Sequence, residues 1–154
     1  MKRNEQEWME LTIFQVADVS CAMDILNIKE IIKHLEITRV HNAPPYIRGV
    51  ASLRGEIITV VDVREKFGFD PIPLNEDMRI IVTSYRGENT GLLVDRVLDV
   101  HMVDVDAMEP LASNINGINR DFFSGIYKME SGLAAVLNTE ALLQGDSKLN
   151  EHVR

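Results

Sequence analysis

One order of elements occurs twice along this chain, and it constrains the fold more than any other feature. Residues 10–16 alternate apolar and polar side chains as a half-buried strand does, residues 17–20 turn, and Cys21-Ala22-Met23 returns. Residues 79–85, a turn at 86–89 and residues 90–94 repeat that hairpin in the second half. Each hairpin is followed by an apolar residue, a spacer, an acid and another apolar residue: Ile28-Lys29-Glu30-Ile31 and Val97-Leu98-Asp99-Val100. Each half then runs through a second hairpin, 49–62 and 125–138, into a short helical turn, Arg64-Glu65-Lys66-Phe67 ended by Gly68 and residues 139–143. Such a pattern predicts two copies of one small five-stranded barrel, a shape that removes exposed sheet edges. Half of a 154-residue chain is thin for a core of its own, so the two barrels are expected to share an interface. Residues 69–77, with two prolines and three acids, read as the loop between halves and set the expected seam near 68–78.

The most informative hairpin is 44–63, PPYIRGVASLRGEIITVVDV. Gly55 suits the positive φ of a hairpin corner, and Arg54 beside it is a long cation presented at the tip. Ile57, Ile58, Val60, Val61 and Val63 form a β-branched run of the kind found in strands covered on both faces. Upstream, Ile25, Ile28, Ile31, Ile32 and Leu35 recur at steps of three and four. That spacing predicts a short amphipathic helix capped by Asp24. Residues 1–8 and 146–154 are polar and are expected to be flexible tails around a single folded unit, 9–145.

Charge and motifs narrow the function. The formal net charge is −8, with 24 acids against 16 Lys and Arg and no basic run, which argues against nucleic-acid binding. No apolar run approaches the ~20 residues of a membrane span, and the polar residues 1–7 lack a signal-peptide core, so a cytoplasmic protein is expected. There is no G-x-G-x-x-G, P-loop or H-E-x-x-H. His34, His41, His101 and His152 are scattered, and Asp104 and Asp106 read as solvated turn acids, so neither a metal nor a cofactor is expected. Cys21 sits in an apolar strand pattern and reads as a small core residue. With no apolar stripe evident beyond the core patterns, a monomer is expected.

The run Tyr46-Ile47-Arg48-Gly49-Val50, Leu53-Arg54-Gly55, then Val61-Asp62-Val63-Arg64, resembles the signature of CheW-type chemotaxis coupling proteins. Residues 24–31 and 91–97 fit the same family in order. The closing motif departs from it, reading Leu137-Asn138-Thr139 where the family usually has Leu-Asp-Leu. The resemblance implies a mainly β fold of two SH3-like five-stranded barrel subdomains with a few short helices. It implies a non-catalytic adaptor that couples the cytoplasmic signalling domains of chemoreceptors to the regulatory domain of the histidine kinase CheA, recruited to membrane receptor arrays. Two alternatives stay open: a regulatory or coupling module of a related system, such as a kinase regulatory domain, and an unrelated small β-barrel enzyme.

Within that resemblance the expected receptor-binding groove comprises Ile28, Glu30, Ile31, Gly49, Arg54, Gly55, Val94, Val97 and Asp99. The apolar members are the anchors for a receptor's helical hairpin, the charged ones its rim, and the glycines allow close backbone approach. Glu30 and Arg54 are expected to pair, partly buried. The kinase is expected on Thr38, Arg39, Val40, His41, Asn42 and Ala43.

Overall fold

The computed structural model describes residues 7–33, 35–111 and 115–144. Among them the chain runs β1 (Trp8–Val16), β2 (Val19–Asp24), a 3-10 turn (Ile25–Asn27), β3 (Glu30–Ile32), β4 (Ile47–Leu53), β5 (Glu56–Asp62) and α1 (Val63–Phe67). The second half runs β6 (Arg79–Tyr85), β7 (Glu88–Val94), β8 (Arg96–Asp104), two 3-10 turns, β9 (Phe123–Met129), β10 (Gly132–Leu137) and α2 (Thr139–Leu143). The twofold order read from the sequence is therefore present, hairpin for hairpin.

The repeats do not each make their own sheet. One five-stranded sheet has the order β8-β1-β2-β10-β9 and the other β3-β6-β7-β5-β4. Each takes its first hairpin from one repeat and its other three strands from the other. The joins are parallel, β10 on β2 and β5 on β7. Residues 68–78 consequently connect α1 to β6 inside the second sheet. The chain changes sheets between β2 and β3 and again between β7 and β8, so the expected seam at 68–78 is not where the sheets part. The reason is the strand exchange: β4 and β5 pair with the following hairpin, not the preceding one.

Equivalent bridges, Thr38 with Val50 and Glu109 with Ile126, lay a further segment over the last hairpin of each sheet. A glycine lies under each. A Cβ on Gly49, whose φ is 152°, would lie 2.2 Å from the Thr38 carbonyl oxygen, and one on Gly125 3.0 Å from that of Glu109. Side chains alternate between two kinds of core. Ile58, Val60, Ile80, Val82 and Leu93 fill the second barrel, and Leu11, Ile13, Val103, Ala134 and Val136 the first. The opposite faces, with Phe14, Cys21, Val61, Ile81, Leu92 and Leu137, join α1 and α2 in the largest cluster, shared by both barrels. There Phe67 lies against Phe122 and Phe123, with ring centroids 6.1 and 5.4 Å apart.

Two local expectations change. The isoleucine-rich run from Ile25 forms a 3-10 turn and then an edge strand instead of an amphipathic helix. Its period of three and four is met another way. Ile28 packs on the shared cluster, Ile31 lies opposite Ile81, and Ile32 packs on the second barrel's core. Asp24 does cap, accepting from Leu26 N at 3.0 Å, but it caps the 3-10 turn. Trp8, assigned to the N-terminal tail, begins β1. The remaining expected tail residues 1–6 and 146–154, like His34 and His152, lie outside the described residues.

Candidate functional site

The corner between β4 and β5 is built by backbone conformation. Arg54 has φ 52° and Gly55 φ 79°, the pair of positive values that a two-residue type I′ turn requires. The turn aims Arg54 across the barrel closure at Glu30 on β3, the opposite edge strand of the same sheet. The contact is bidentate: Nη2 meets Oε1 at 2.9 Å, and Nη1 meets Oε2. Hydrogen bonding from Arg54 holds the Glu30 carboxyl below its ordinary value, and the same bonds hold the Arg54 guanidinium above its own. With side-chain exposures of 32% for Glu30 and 71% for Arg54, the pair is a surface clamp, more open than the partly buried pair expected.

Around the clamp the expected groove residues separate into three situations. Ile28 and Val97 are half-buried, and each packs on the shared cluster. Ile31 is 40% exposed on β3 beside Glu30. Val94 is only 1% exposed and lies inside the shared cluster. It cannot line a groove, because β7 is an inner strand with β5 and β6 on either side and core on both faces. Gly49 cannot admit a partner's backbone either, because Thr38 of the same chain already occupies that space. Gly55 is open, with no atom within 4 Å of a built Cβ. Asp99 lies on β8 in the other sheet. Its carboxylate accepts from Val100 N at 3.0 Å and lies 3.5 Å from His101 Nε2.

The segment expected to meet the kinase has two characters. Thr38 is backbone-paired with Val50 by two 2.8 Å hydrogen bonds. Arg39, His41 and Asn42 are exposed, with Asn42 at φ 65°, while Ala43 packs on the shared cluster and Val40 is half-buried. Arg39 also borders a cavity of about 390 Å³ beside Arg48, Asp62, Pro71 and Pro73.

Two further features escape the sequence reading. The first is a pair of ion pairs at the α1 corner: Arg48 Nη1 to Asp62 Oδ2 at 2.7 Å, and Arg64 Nη2 to Asp95 Oδ2 at 2.8 Å, all four side chains under one-fifth exposed. Arg64's guanidinium is held above its ordinary value, chiefly by its hydrogen bonds to Asp95. The second corrects the expectation of no apolar stripe. Leu98, Val100 and Met102 on edge strand β8 are 47–62% exposed, next to Trp8 at 55%. Their strict alternation was the available signal. A core strand gives the same pattern, so only the neighbouring layer tells the two apart.

Among the described residues no three His, Cys, Asp or Glu side chains gather in a way that holds a metal ion. Cys21 is buried, and burial pushes its thiol far above the ordinary value, with a smaller contribution from Asp95. No described helix is long and apolar enough to cross a membrane.

Residues 10–147 match the CheW-like domain family. This chain belongs to that family. The chain is 29% identical over 145 residues to the chemotaxis protein CheW of Helicobacter pylori, covering 94% of this chain and 87% of that one. It is 28% identical over 138 residues to the chemotaxis protein CheW of Bacillus subtilis, covering 90% and 88%. Its structure matches the crystal structure of the scaffolding protein TtCheW from Thermoanaerobacter tengcongensis with a TM-score of 0.84, at 29% identity over 92% of this chain and 97% of that one. The CheW-like fold of two five-stranded β sheets with a few short helices is thus the fold of this protein.

Proposed function

We propose that this CheW-like protein is a chemotaxis coupling adaptor that links receptor signalling domains to the kinase CheA in the cytoplasm, without catalysing a reaction. The observation that carries this reading is the match to a scaffolding protein over nearly the full length of both chains. The architecture suits the task. A shared core fixes two barrels rigidly, so surfaces on different barrels hold their partners at a set geometry.

For the receptor we assign Ile28, Ile31 and Val97 as apolar contacts, with Glu30 and Arg54 as the polar rim and Gly55 leaving the corner open. A few apolar anchors within a polar rim are what a helical hairpin needs. For the kinase regulatory domain we assign the exposed side of the closing segment, Arg39, His41 and Asn42. We read the free protein as a monomer. Pull-down with a receptor signalling fragment and with the CheA regulatory domain tests the assignment. Ile31→Asp lowers receptor capture while the thermal melt and CheA capture stay as in the unmodified protein. Capture of neither partner by the unmodified protein overturns the adaptor reading. Loss of CheA capture alone in Ile31→Asp exchanges the two faces.

A further inference from the structure

The two barrels hold their closing strands together by different chemistry, and the internal repeat shows where they diverge. In the second barrel Glu30 on β3 and Arg54 at the β4–β5 corner form the clamp. The repeat sets Asp99 where Glu30 stands, in Val97-Leu98-Asp99-Val100 against Ile28-Lys29-Glu30-Ile31. It sets Glu130 where Arg54 stands, because Met129 and Gly132 flank that corner as Leu53 and Glu56 flank the first. Two acids at the clamp positions repel each other, so the first barrel cannot copy the arginine clamp.

Its closing strands, β8 and β9, are the two ends of the sheet β8-β1-β2-β10-β9, and their side chains meet through His101. His101 Nδ1 lies 2.9 Å from Tyr127 Oη, and the two rings meet edge to face at 87° with centroids 5.5 Å apart. His101 Nε2 lies 3.5 Å from Asp99 Oδ2, two residues back on the same face of β8. An ionised carboxylate can only accept, so in neutral His101 the proton sits on Nε2, toward Asp99, and Nδ1 accepts from the Tyr127 hydroxyl. A second proton puts an N–H on Nδ1 as well, makes the Tyr127 oxygen the acceptor and sets a cation beside Asp99. The Asp99–His101–Tyr127 chain is then charge-assisted from end to end, as the Glu30–Arg54 pair always is.

The other elements packed against His101 leave this exchange undisturbed. Leu11 lies opposite it on β1, with Met9 and Ile13 on the same face, all apolar. Glu10 and Asp104 alternate to the outer faces of β1 and β8. On β9, Lys128 alternates away from Tyr127 and pairs with Glu109 of the crossing segment at 3.7 Å.

We propose that the closure of the first barrel is proton-controlled, weaker with neutral His101 and clamped with protonated His101, while the arginine clamp of the second barrel is permanent. Because β8 carries the exposed Leu98, Val100 and Met102 on its outer face, protonation steadies that surface. The proposal does not rest on the adaptor reading above.

Native-state hydrogen exchange of the full chain at about pH 5.5 and about pH 7.5, corrected for the intrinsic pH dependence of exchange, tests it. At the lower pH the opening equilibrium at residues 99–103 and 125–129 falls roughly two- to fivefold, the scale of a partly exposed ion pair. Residues 80–84 of the second barrel show no such change, because Arg54 holds the Glu30 carboxyl below its ordinary value and therefore ionised throughout. Asp99→Asn keeps an acceptor for the Nε2 proton and for Val100 N–H, and it removes the pH difference in the first barrel. Tyr127→Phe weakens protection of β8 at both pH values and keeps part of the difference. Imidazole nitrogen shifts at the higher pH report the proton on Nε2. Unchanged opening between the two pH values in the unmodified protein, an undiminished difference in Asp99→Asn, or a neutral imidazole with its proton on Nδ1 overturns the proposal.

Discussion

The hairpins β4–β5 and β9–β10 occupy equivalent places in the two repeats, and they differ in how tightly they are held. Both carry a glycine under a crossing strand, and both lead into a five-residue helix through a side-chain cap, Asp62 on Arg64 N and Asn138 on Ala141 N. At the first hairpin the glycine is at positive φ with a carbonyl 2.2 Å from its would-be Cβ, the cap is a carboxylate neutralised by Arg48, and the tip is clamped to Glu30. At the second the glycine is less crowded and the cap is a neutral amide, while a cavity of about 390 Å³ borders each corner. Barrel closure and helix entry are common to both copies; the charge chemistry at the corners is where they part.

The largest expected effect removes what both hairpins share. Phe67→Ala empties a buried site between Phe122 and Phe123 and costs roughly 3–5 kcal/mol, read from chemical denaturation. Because the cluster belongs to both barrels, they unfold together in one transition; two separate transitions would break the comparison by making the barrels independent. Next come the glycines. Gly49→Ala, which meets strain and a backbone clash together, costs roughly 2–4 kcal/mol, whereas Gly125→Ala costs roughly 1. Equal losses in the two melts would mean the closures are equally tight.

Asp62→Asn makes the first corner resemble the second. The cap survives, but Arg48 keeps only the Ile72 carbonyl, and the loss is about 1–3 kcal/mol, softened by the 17% exposure of the arginine. No change in the denaturation midpoint would show that the charge pair is not what tightens α1. The smallest effect concerns the clamp. Because Glu30 titrates below its unfolded value, the pair's contribution is complete at neutral pH and is lost as pH falls through the depressed folded value. Arg54→Ala returns the Glu30 titration, followed by carboxyl NMR, to the ordinary carboxylate range. The neutral-pH melt stays nearly unchanged, as expected of an exposed pair. A titration unmoved by the substitution would detach Arg54 from Glu30 in solution.

Residues within a few positions of each other determined what the sequence alone could tell. The alternation in β1 and β6, the Arg54-Gly55 corner, the short helices ended by Gly68 and begun after Asn138, and the twofold order of elements are all local, and all are present in the fold. The pairing of Glu30 with Arg54 was expected too, because the hairpin corner that carries Arg54 was expected to lie near the Glu30 segment; its exposure was not. Only the tertiary structure decided which hairpins share a sheet. The parallel joins of β2 with β10 and β5 with β7 depend on chain segments far apart in sequence, and β-branched periodicity is the same whichever partner a strand takes. From that one choice the rest followed. Val94 became core and not groove, because it landed on an inner strand. Leu98, Val100 and Met102 became surface, because no layer among the described residues covers that face of β8. Arg48 and Arg64 found carboxylates 14 and 31 residues away. Side-chain type is written in the sequence, but burial and pairing are properties of what lies opposite, and only the assembled sheets determine that.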